Sequence, residues 1–253
     1  NQPNFAKNLQ DGGYETALIG KIHLRGAPQG FNHWSVLPGQ GHYYNPKFIK
    51  NGDTIQIEGH VSPITTNMTL DWLKNIRDKI KPFLLLYHQK APHRNWMTEE
   101  KYLTLFDDKT FNPPSNYFDN YGGMGTAAKE QEMEIDGHAM WGHDFKFLIN
   151  PITGKKTNFN RELKRLTKKQ REKWLASYTP KNDAFRELKL EGKELGIWKF
   201  NRYLKDYLRT IQSVDDGVGE VLNYLDGFAQ GLVMKVGTLV ASALGIGSEY
   251  QST

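Results

Sequence analysis

The sequence predicts an α/β fold in which helices flank a sheet, and three observations lead to that prediction. Short, continuous apolar runs at residues 16–19 and 82–87 have the pattern of buried strands. Between them lies a helical pattern with Met68, Leu70, Leu73 and Ile76, so that strand and helix alternate along the chain. An apolar fraction of 38% over 253 residues is enough for a substantial core, in one large domain or two small ones.

The elements can be justified in chain order. Asn4 is a candidate cap for a short helix that ends at the glycines at 12 and 13, where the first strand follows. Thr65 or Thr66 can cap the helix that precedes the second strand. From Leu195 onward, apolar residues recur at helical spacing as far as Leu225, which predicts a long amphipathic helix.

Composition excludes several classes of function. The sequence has no cysteine, which rules out a disulfide scaffold, a thiolate zinc site and a cysteine nucleophile within it. The 33 Lys and Arg residues against 28 Asp and Glu residues give a net charge of +5, which favours anionic partners. No pattern typical of a nucleic-acid-binding module is present, so we expect no nucleic-acid partner.

The two ends of the chain differ from its middle. The first 13 residues carry no charged-then-apolar leader, and we expect the front of the chain to be cut. From 227 to 253 only Lys235 and Glu249 are charged, while glycine and small apolar residues accumulate. We therefore predict one domain over residues 1–226 and a divergent tail over 227–253, frame-shifted or disordered. A transmembrane helix is the less favoured alternative, because Lys235 and several glycines interrupt the stretch.

A run of basic residues spans positions 155–173. It contains nine Lys and Arg residues against two glutamates. Such a run is typical of a solvated helix face, and recognition of a polyanion is the functional alternative.

Candidate catalytic side chains follow both predicted strands. The first run ends in Lys21 and His23, which project from the same face if the extended conformation continues. The second run leads to Lys90 and His93, and ligands of open α/β sheets bind beyond the carboxyl ends of strands. If the strands are neighbours, the four side chains converge on a space that suits a sulfate or phosphate ester. A structural role for each histidine remains the alternative.

These residues also carry a resemblance to a known family. Residues 13–23, GYETALIGKIH, resemble the Gly-Tyr-x-Thr-x-x-x-Gly-Lys-x-His signature of the formylglycine-dependent sulfatases. Residues 30–34 resemble the family's following loop, and 206–216 resembles the helix before its last metal-binding strand. Residues 43–45 and 91–93 are similar to the sulfatases that act on N-acetylglucosamine-6-sulfate and related heparan units. The resemblance covers residues 1 to about 226.

The resemblance implies an alkaline-phosphatase-like α/β fold with a mixed central sheet and flanking helices, incomplete at both ends. It implies hydrolysis of a sulfate ester on a glycan, with calcium and a formylglycine nucleophile made from Cys or Ser. Lys21 would hold the sulfate, His23 would contact the aldehyde hydrate, and His93 would protonate the departing sugar oxygen. Lys90 has no fixed role in the family and is a candidate sulfate or substrate contact.

Two further residues are weaker candidates. Gln40 and His42 lie in a glycine-rich segment and would line the sugar pocket, with a purely structural turn as the alternative.

The sequence departs from the family pattern in two places. It lacks the Cys/Ser-x-Pro-x-Arg motif and the paired aspartates before it, and it lacks the Asp-Asn or Asp-Gln calcium ligands of the family. We therefore predict no metal ligand in this sequence and no turnover by this chain alone. The alternatives are a phosphoesterase of the same superfamily and a non-catalytic polyanion-binding protein. The resemblance also implies a location in a bacterial periplasm or another exported compartment.

Overall fold

A mixed five-stranded sheet is the centre of the fold. The computed structural model describes residues 3–24 and 26–243, with side chains as far as residue 228. The strands are β1 (Glu15–Lys21), β2 (His33–Leu37), β3 (Lys47–Lys50), β4 (Asp53–Gln56) and β5 (Phe83–His88). Their order is β4-β3-β2-β1-β5, with β1 parallel to both β2 and β5, and with β3 antiparallel to β2 and β4. The predicted mixed sheet is confirmed.

Helices flank this sheet and form most of the second half of the described chain. The α-helices are α1 (Phe5–Asp11), α2 (Val61–Asp71), α3 (Thr126–Glu130), α4 (Ile135–His138), α5 (Asn160–Leu163), α6 (Lys168–Leu188) and α7 (Gly192–Ala243). A π-helical turn at Trp72–Ile76 extends α2, and a 3₁₀ turn occupies Glu100–Tyr102. The long amphipathic helix predicted from Leu195 onward is confirmed as α7.

The first helix begins as the sequence predicts. The Asn4 side chain accepts a hydrogen bond of 2.9 Å from the backbone N–H of Lys7, which is the usual action of an N-cap. Gly12 follows as the C-cap, and the chain then enters β1.

The second helix begins five or six residues earlier than predicted, so the prediction of a cap at Thr65 or Thr66 is wrong. His60 is the N-cap, because its ring Nδ1 accepts from the backbone N–H of Ser62. The hydroxyls of Thr65 and Thr66 instead donate to the carbonyls four residues earlier, at 2.8 and 2.9 Å. Threonine inside a helix commonly makes this bond, so its presence alone does not mark a helix start.

Burial differs between the two predicted strands. The interior of β1 is fully buried, as predicted, with Ala17 and Ile19 packed against α2 and α7. The strand prediction for β5 is also confirmed, but full burial is wrong, because most of its residues are only half-buried. One face of β5 packs on the same cluster, whereas Leu86 on its other face borders an open groove of about 660 Å³.

The predicted boundary at residue 227 falls inside α7, and residues 244–253 of the predicted tail lie outside the described residues. The division into a domain and a divergent tail stays a prediction. Within the described part of the chain, no helix is long and apolar enough to cross a membrane.

Candidate active site

The parallel part of the sheet brings three strand ends to one edge. Since β2, β1 and β5 are adjacent and parallel, their carboxyl ends lie together. Lys21 is the last residue of β1, and the segments that follow the three strand ends carry the other five residues singled out from the sequence: His23, Gln40, His42, Lys90 and His93. This edge is where ligands of open α/β sheets bind.

His23 reaches the site by a different route from the one predicted. Strand β1 ends at Lys21, and His23 has a positive φ of 49°, so the extended conformation does not continue and side-chain alternation does not relate the two residues. The Gln40 amide nitrogen lies 3.0 Å from Nε2 of His23. This contact joins the segment after β1 to the segment after β2.

Lys90 lies in a buried position between these segments. Its ammonium donates to the backbone carbonyl of Gln40 at 3.1 Å and lies 4.6 Å from the centre of the Tyr43 ring. Burial, and then the charge of Lys21, lower the pKa of Lys90 to about 8. Because the charge of Lys21 acts on Lys90, the two ammonium groups share one region of the site.

His93 belongs to the same cluster of cations. Burial lowers its pKa, a hydrogen bond to the Arg94 carbonyl opposes that change, and the charges of Lys90, Lys21 and His23 lower it further. The hydrogen bond is made by Nδ1, and a carbonyl can only accept, so Nδ1 carries a proton. Nε2 is therefore the nitrogen that can exchange a proton with a ligand.

Tyr43 fixes the His93 segment against the segment after β2. Its hydroxyl donates to the backbone carbonyl of His93 at 2.6 Å. The side chain is almost fully buried, and burial raises the pKa of the phenol far above its usual range, so Tyr43 stays neutral. Sequence reasoning noted Tyr43 only as part of the family pattern and gave it no role.

His42 marks the other side of the site. Burial lowers its pKa most, and the charge of Arg165 lowers it further. The charge of Glu162 raises the pKa, and that of Lys90 lowers it by a smaller amount. His42 therefore lies within electrostatic range of Lys90 and of the turn after α5. The basic run at 155–173 extends over three elements. It begins in a short hairpin, in which Lys156 forms a bridge with Ile149, and it continues through helix α5 into the start of α6.

An ion pair with a buried carboxylate anchors the residue after His93, whose own side chain is exposed. Arg94 donates through Nε to Oδ1 of Asp144 at 2.5 Å and through Nη2 to Oδ2, and the backbone N–H of Met140 donates to Oδ2 at 2.7 Å. Burial alone would raise the pKa of Asp144, but the bonds from Arg94, His143 and Met140 hold it well below its usual range. Sequence reasoning missed this pair, since nothing in a single sequence relates positions 94 and 144.

Calcium does not fit the side chains that the structure describes. Among residues 3–24 and 26–228, no group of three or more His, Asp or Glu side chains could hold a metal ion. Asp216, in α7, instead accepts from Lys101 at 2.8 Å and from Tyr102.

Comparison with known proteins identifies the family. The model of the sulfatase family matches residues 1–230 of the chain. The chain belongs to the sulfatase family. It is 43% identical over 231 residues to an N-acetylglucosamine-6-O-sulfatase of Bacteroides thetaiotaomicron, a match that covers 89% of this chain and 41% of that protein.

A solved sulfatase structure agrees with the fold. The structure of BT4656 in complex with its substrate D-glucosamine-2-N,6-O-disulfate superimposes with a TM-score of 0.83 at 41% identity. The match covers 90% of this chain and 47% of that one, so the chain spans less than half the length of either relative. The alkaline-phosphatase-like α/β fold expected from the resemblance is confirmed over the part that this chain contains.

Proposed function

We propose that this chain is part of the catalytic domain of a glycan sulfatase that removes the 6-O-sulfate of glucosamine units, with N-acetylglucosamine-6-sulfate as the reference substrate. The observation that carries the proposal is the cluster of Lys21, His23, Lys90 and His93 at the carboxyl ends of the parallel strands β1 and β5. The names of the similar proteins, an N-acetylglucosamine-6-O-sulfatase and an enzyme solved with a glucosamine disulfate, support this substrate class.

Lys21 and Lys90 are proposed to hold the sulfate. The charge of Lys21 helps to lower the pKa of Lys90, and an anion bound between the two ammonium groups would offset that repulsion because it attracts both. Lys90 is almost fully buried, and so its charge is poorly screened by water. Gln40 and His42 border the same space and are proposed to contact the sugar.

His93 is proposed to protonate the sugar oxygen as the sulfate leaves. Its Nδ1 is bound to the Arg94 carbonyl, which leaves Nε2 for the proton transfer. In the free protein the surrounding cations lower the pKa of His93. A bound sulfate offsets those cations and raises the pKa, so His93 gains its proton when substrate arrives.

His23 is proposed to contact the attacking group, as the family resemblance implies. The sequence contains no cysteine and no Ser-x-Pro-x-Arg motif, so it offers no residue of its own for conversion to formylglycine. We therefore expect sulfate hydrolysis only when the nucleophile and the calcium ligands are supplied by other residues. We also propose an exported compartment, such as the periplasm, as the location, by analogy with the family.

A chimera tests the proposed function. Residues 1–230 of this chain would replace the matching 231-residue region of the Bacteroides relative, and sulfate release from N-acetylglucosamine-6-sulfate would be measured. We expect turnover, and a loss of about 100-fold or more in Lys21→Ala and His93→Ala chimeras. Lys155→Gln, in the exposed hairpin, is the control and should keep the activity.

A binding measurement covers the case in which the chimera does not fold. The 253-residue chain should bind N-acetylglucosamine-6-sulfate in calorimetry, and Lys21→Ala should weaken that binding. Equal affinity in the original chain and in Lys21→Ala would refute the assignment of the sulfate site.

A further inference from the structure

Five exposed cations stand beside the proposed site. We call Arg161, Lys164, Arg165, Lys168 and Lys169 the basic segment; all five are exposed. Between them in the sequence, Leu163 and Leu166 are buried in the same core cluster as Leu37 and Tyr43. The buried leucines fix the position of the segment, so the exposed charges have a defined place in the fold.

A hydrogen-bond network ties the basic segment to the segment that carries His42. The Asn45 side chain donates to the backbone carbonyl of Arg165 at 2.7 Å and to Oε1 of Gln170 at 2.9 Å. Its Oδ1 also accepts from the backbone N–H of Gly59 at 2.9 Å. Asn45 lies three residues after His42, so this network holds Arg165 beside the wall of the proposed site.

Electrostatics relate Arg165 to the proposed site. Both Arg165 and Lys90 act on His42, and Glu162, in α5, acts on His42 and on Lys90. The positive charge at the strand ends is therefore joined at His42 by that of Arg165.

The cations of the basic segment have no anionic partner. Within the described residues, none of the five makes an ion pair or a side-chain hydrogen bond, whereas nearby Lys173 pairs with Glu100 and Lys181 with Asp107. Unpaired cations beside a site for an anionic sugar are available to a second negative group on the same ligand.

We propose that the basic segment, with Arg165 nearest to His42, is a second anion subsite that binds another sulfate or carboxylate of the glycan. The inference rests on the proposed function, since it extends the same site. A planar guanidinium pairs with either anion through two parallel hydrogen bonds, and the neighbouring lysines add charge. The site then prefers a sugar or chain with several anionic groups over a monosulfated sugar.

The test compares three ligands on the full 253-residue chain by calorimetry. They are N-acetylglucosamine-6-sulfate, glucosamine-2-N,6-O-disulfate and a heparin tetrasaccharide, which differ in the number and place of the additional anions. The double variant Lys164→Gln/Arg165→Gln is compared with Lys155→Gln/Lys156→Gln, which removes the same charge from the exposed hairpin.

We expect the first variant to lose about tenfold in affinity for the tetrasaccharide, since each exposed cation contributes a few-fold. Its affinity for N-acetylglucosamine-6-sulfate should stay within about twofold, and the loss should shrink at high salt. A loss that already appears with the disulfate also supports the subsite and assigns the second anion to the same sugar.

Other results overturn the inference. Equal losses in the two double variants would indicate unspecific attraction of the polyanion, and no loss in either would leave the segment without a role. In both cases Lys21→Ala still tests the proposed function separately through the monosulfated sugar. Tetrasaccharide binding that needs Arg165 but is unaffected by Lys21→Ala would refute both proposals and favour a non-catalytic polyanion-binding surface.

Discussion

Gly20 sets the spacing between the two strands that carry the proposed catalytic residues, and replacing it by alanine tests that view. Gly20 pairs with His88 in the parallel ladder of β1 and β5 and has a φ of +114°. A Cβ at this position would lie 1.7 Å from the backbone carbonyl oxygen of His88 and 3.2 Å from Cγ2 of Thr65. Since the nearest obstacle is backbone, the two strands must separate to admit the methyl group.

The loss of stability in Gly20→Ala has two parts, backbone strain and the clash with the neighbouring strand, and a variant of Gly13 can separate them. Gly13 has a φ of +89°, and a Cβ there would meet nothing within 4 Å, so Gly13→Ala measures backbone strain alone. That strain is about 1 kcal/mol, and it is partly offset by the lower entropy of the unfolded chain. Gly20→Ala adds a displaced strand and disturbed ladder hydrogen bonds, so we expect a total loss of about 3–5 kcal/mol in the free energy of unfolding.

Urea unfolding followed by tryptophan fluorescence measures both variants, because the chain has six tryptophans. We expect the Gly20→Ala midpoint to fall well below that of Gly13→Ala, with similar slopes. In the chimera, Gly20→Ala should also lower sulfate release about 100-fold, since it moves Lys21 relative to Lys90. Equal midpoints for the two variants would refute the argument, because the clash would then have no cost.

Four further predictions concern the site. Tyr43→Phe should remove the bond to the His93 carbonyl at a cost of about 1 kcal/mol in unfolding free energy, while the ring under Lys90 is kept. Sulfate affinity should fall as the pH rises through about 8, where Lys90 loses its charge, and Lys90→Met should bind more weakly at low pH without that dependence. Inorganic sulfate should raise the pKa of His93 in an NMR titration, and no rise would contradict its proposed role. Asp144→Asn should lower the free energy of unfolding by about 2 kcal/mol at neutral pH in a urea titration, because Arg94 loses its buried carboxylate acceptor. Because the pKa of Asp144 is depressed in the folded state, this difference should begin to shrink as the pH falls below about 4 and should disappear only at a much lower pH, where the native carboxyl is protonated.

Much of the sheet edge could be predicted because its signals are local. The apolar run before Lys21 predicts a strand, and the position of Lys21 and His23 after that run predicts that they lie at its carboxyl end. Parallel pairing of the two predicted strands then follows from the alternation of strand and helix, and β1 and β5 are indeed neighbours. The family resemblance added the expected roles, which composition and periodicity cannot supply.

Contacts between distant, irregular segments could not be predicted. Arg94 and Asp144 lie 50 positions apart in segments without periodic structure, so no pattern relates them. Arg165 follows a helix of only four residues, and its place beside His42 depends on the burial of Leu163 and Leu166 against the core. The start of α2 was missed for a different reason: a histidine ring replaces the usual hydroxyl or carboxylate as the N-cap.

The arrangement of charge explains why the protonation of the proposed site should depend on whether an anion is bound. Burial and neighbouring positive charge lower the pKa of Lys90 and of His93, so both groups hold their protons less readily than isolated side chains would. A bound sulfate ester would bring a negative charge that offsets part of this positive field, which would favour the charged form of Lys90 and the protonated imidazole of His93 together. Binding the anion and loading the proton for the leaving oxygen are then one coupled event, and a neutral sugar of the same shape would produce neither.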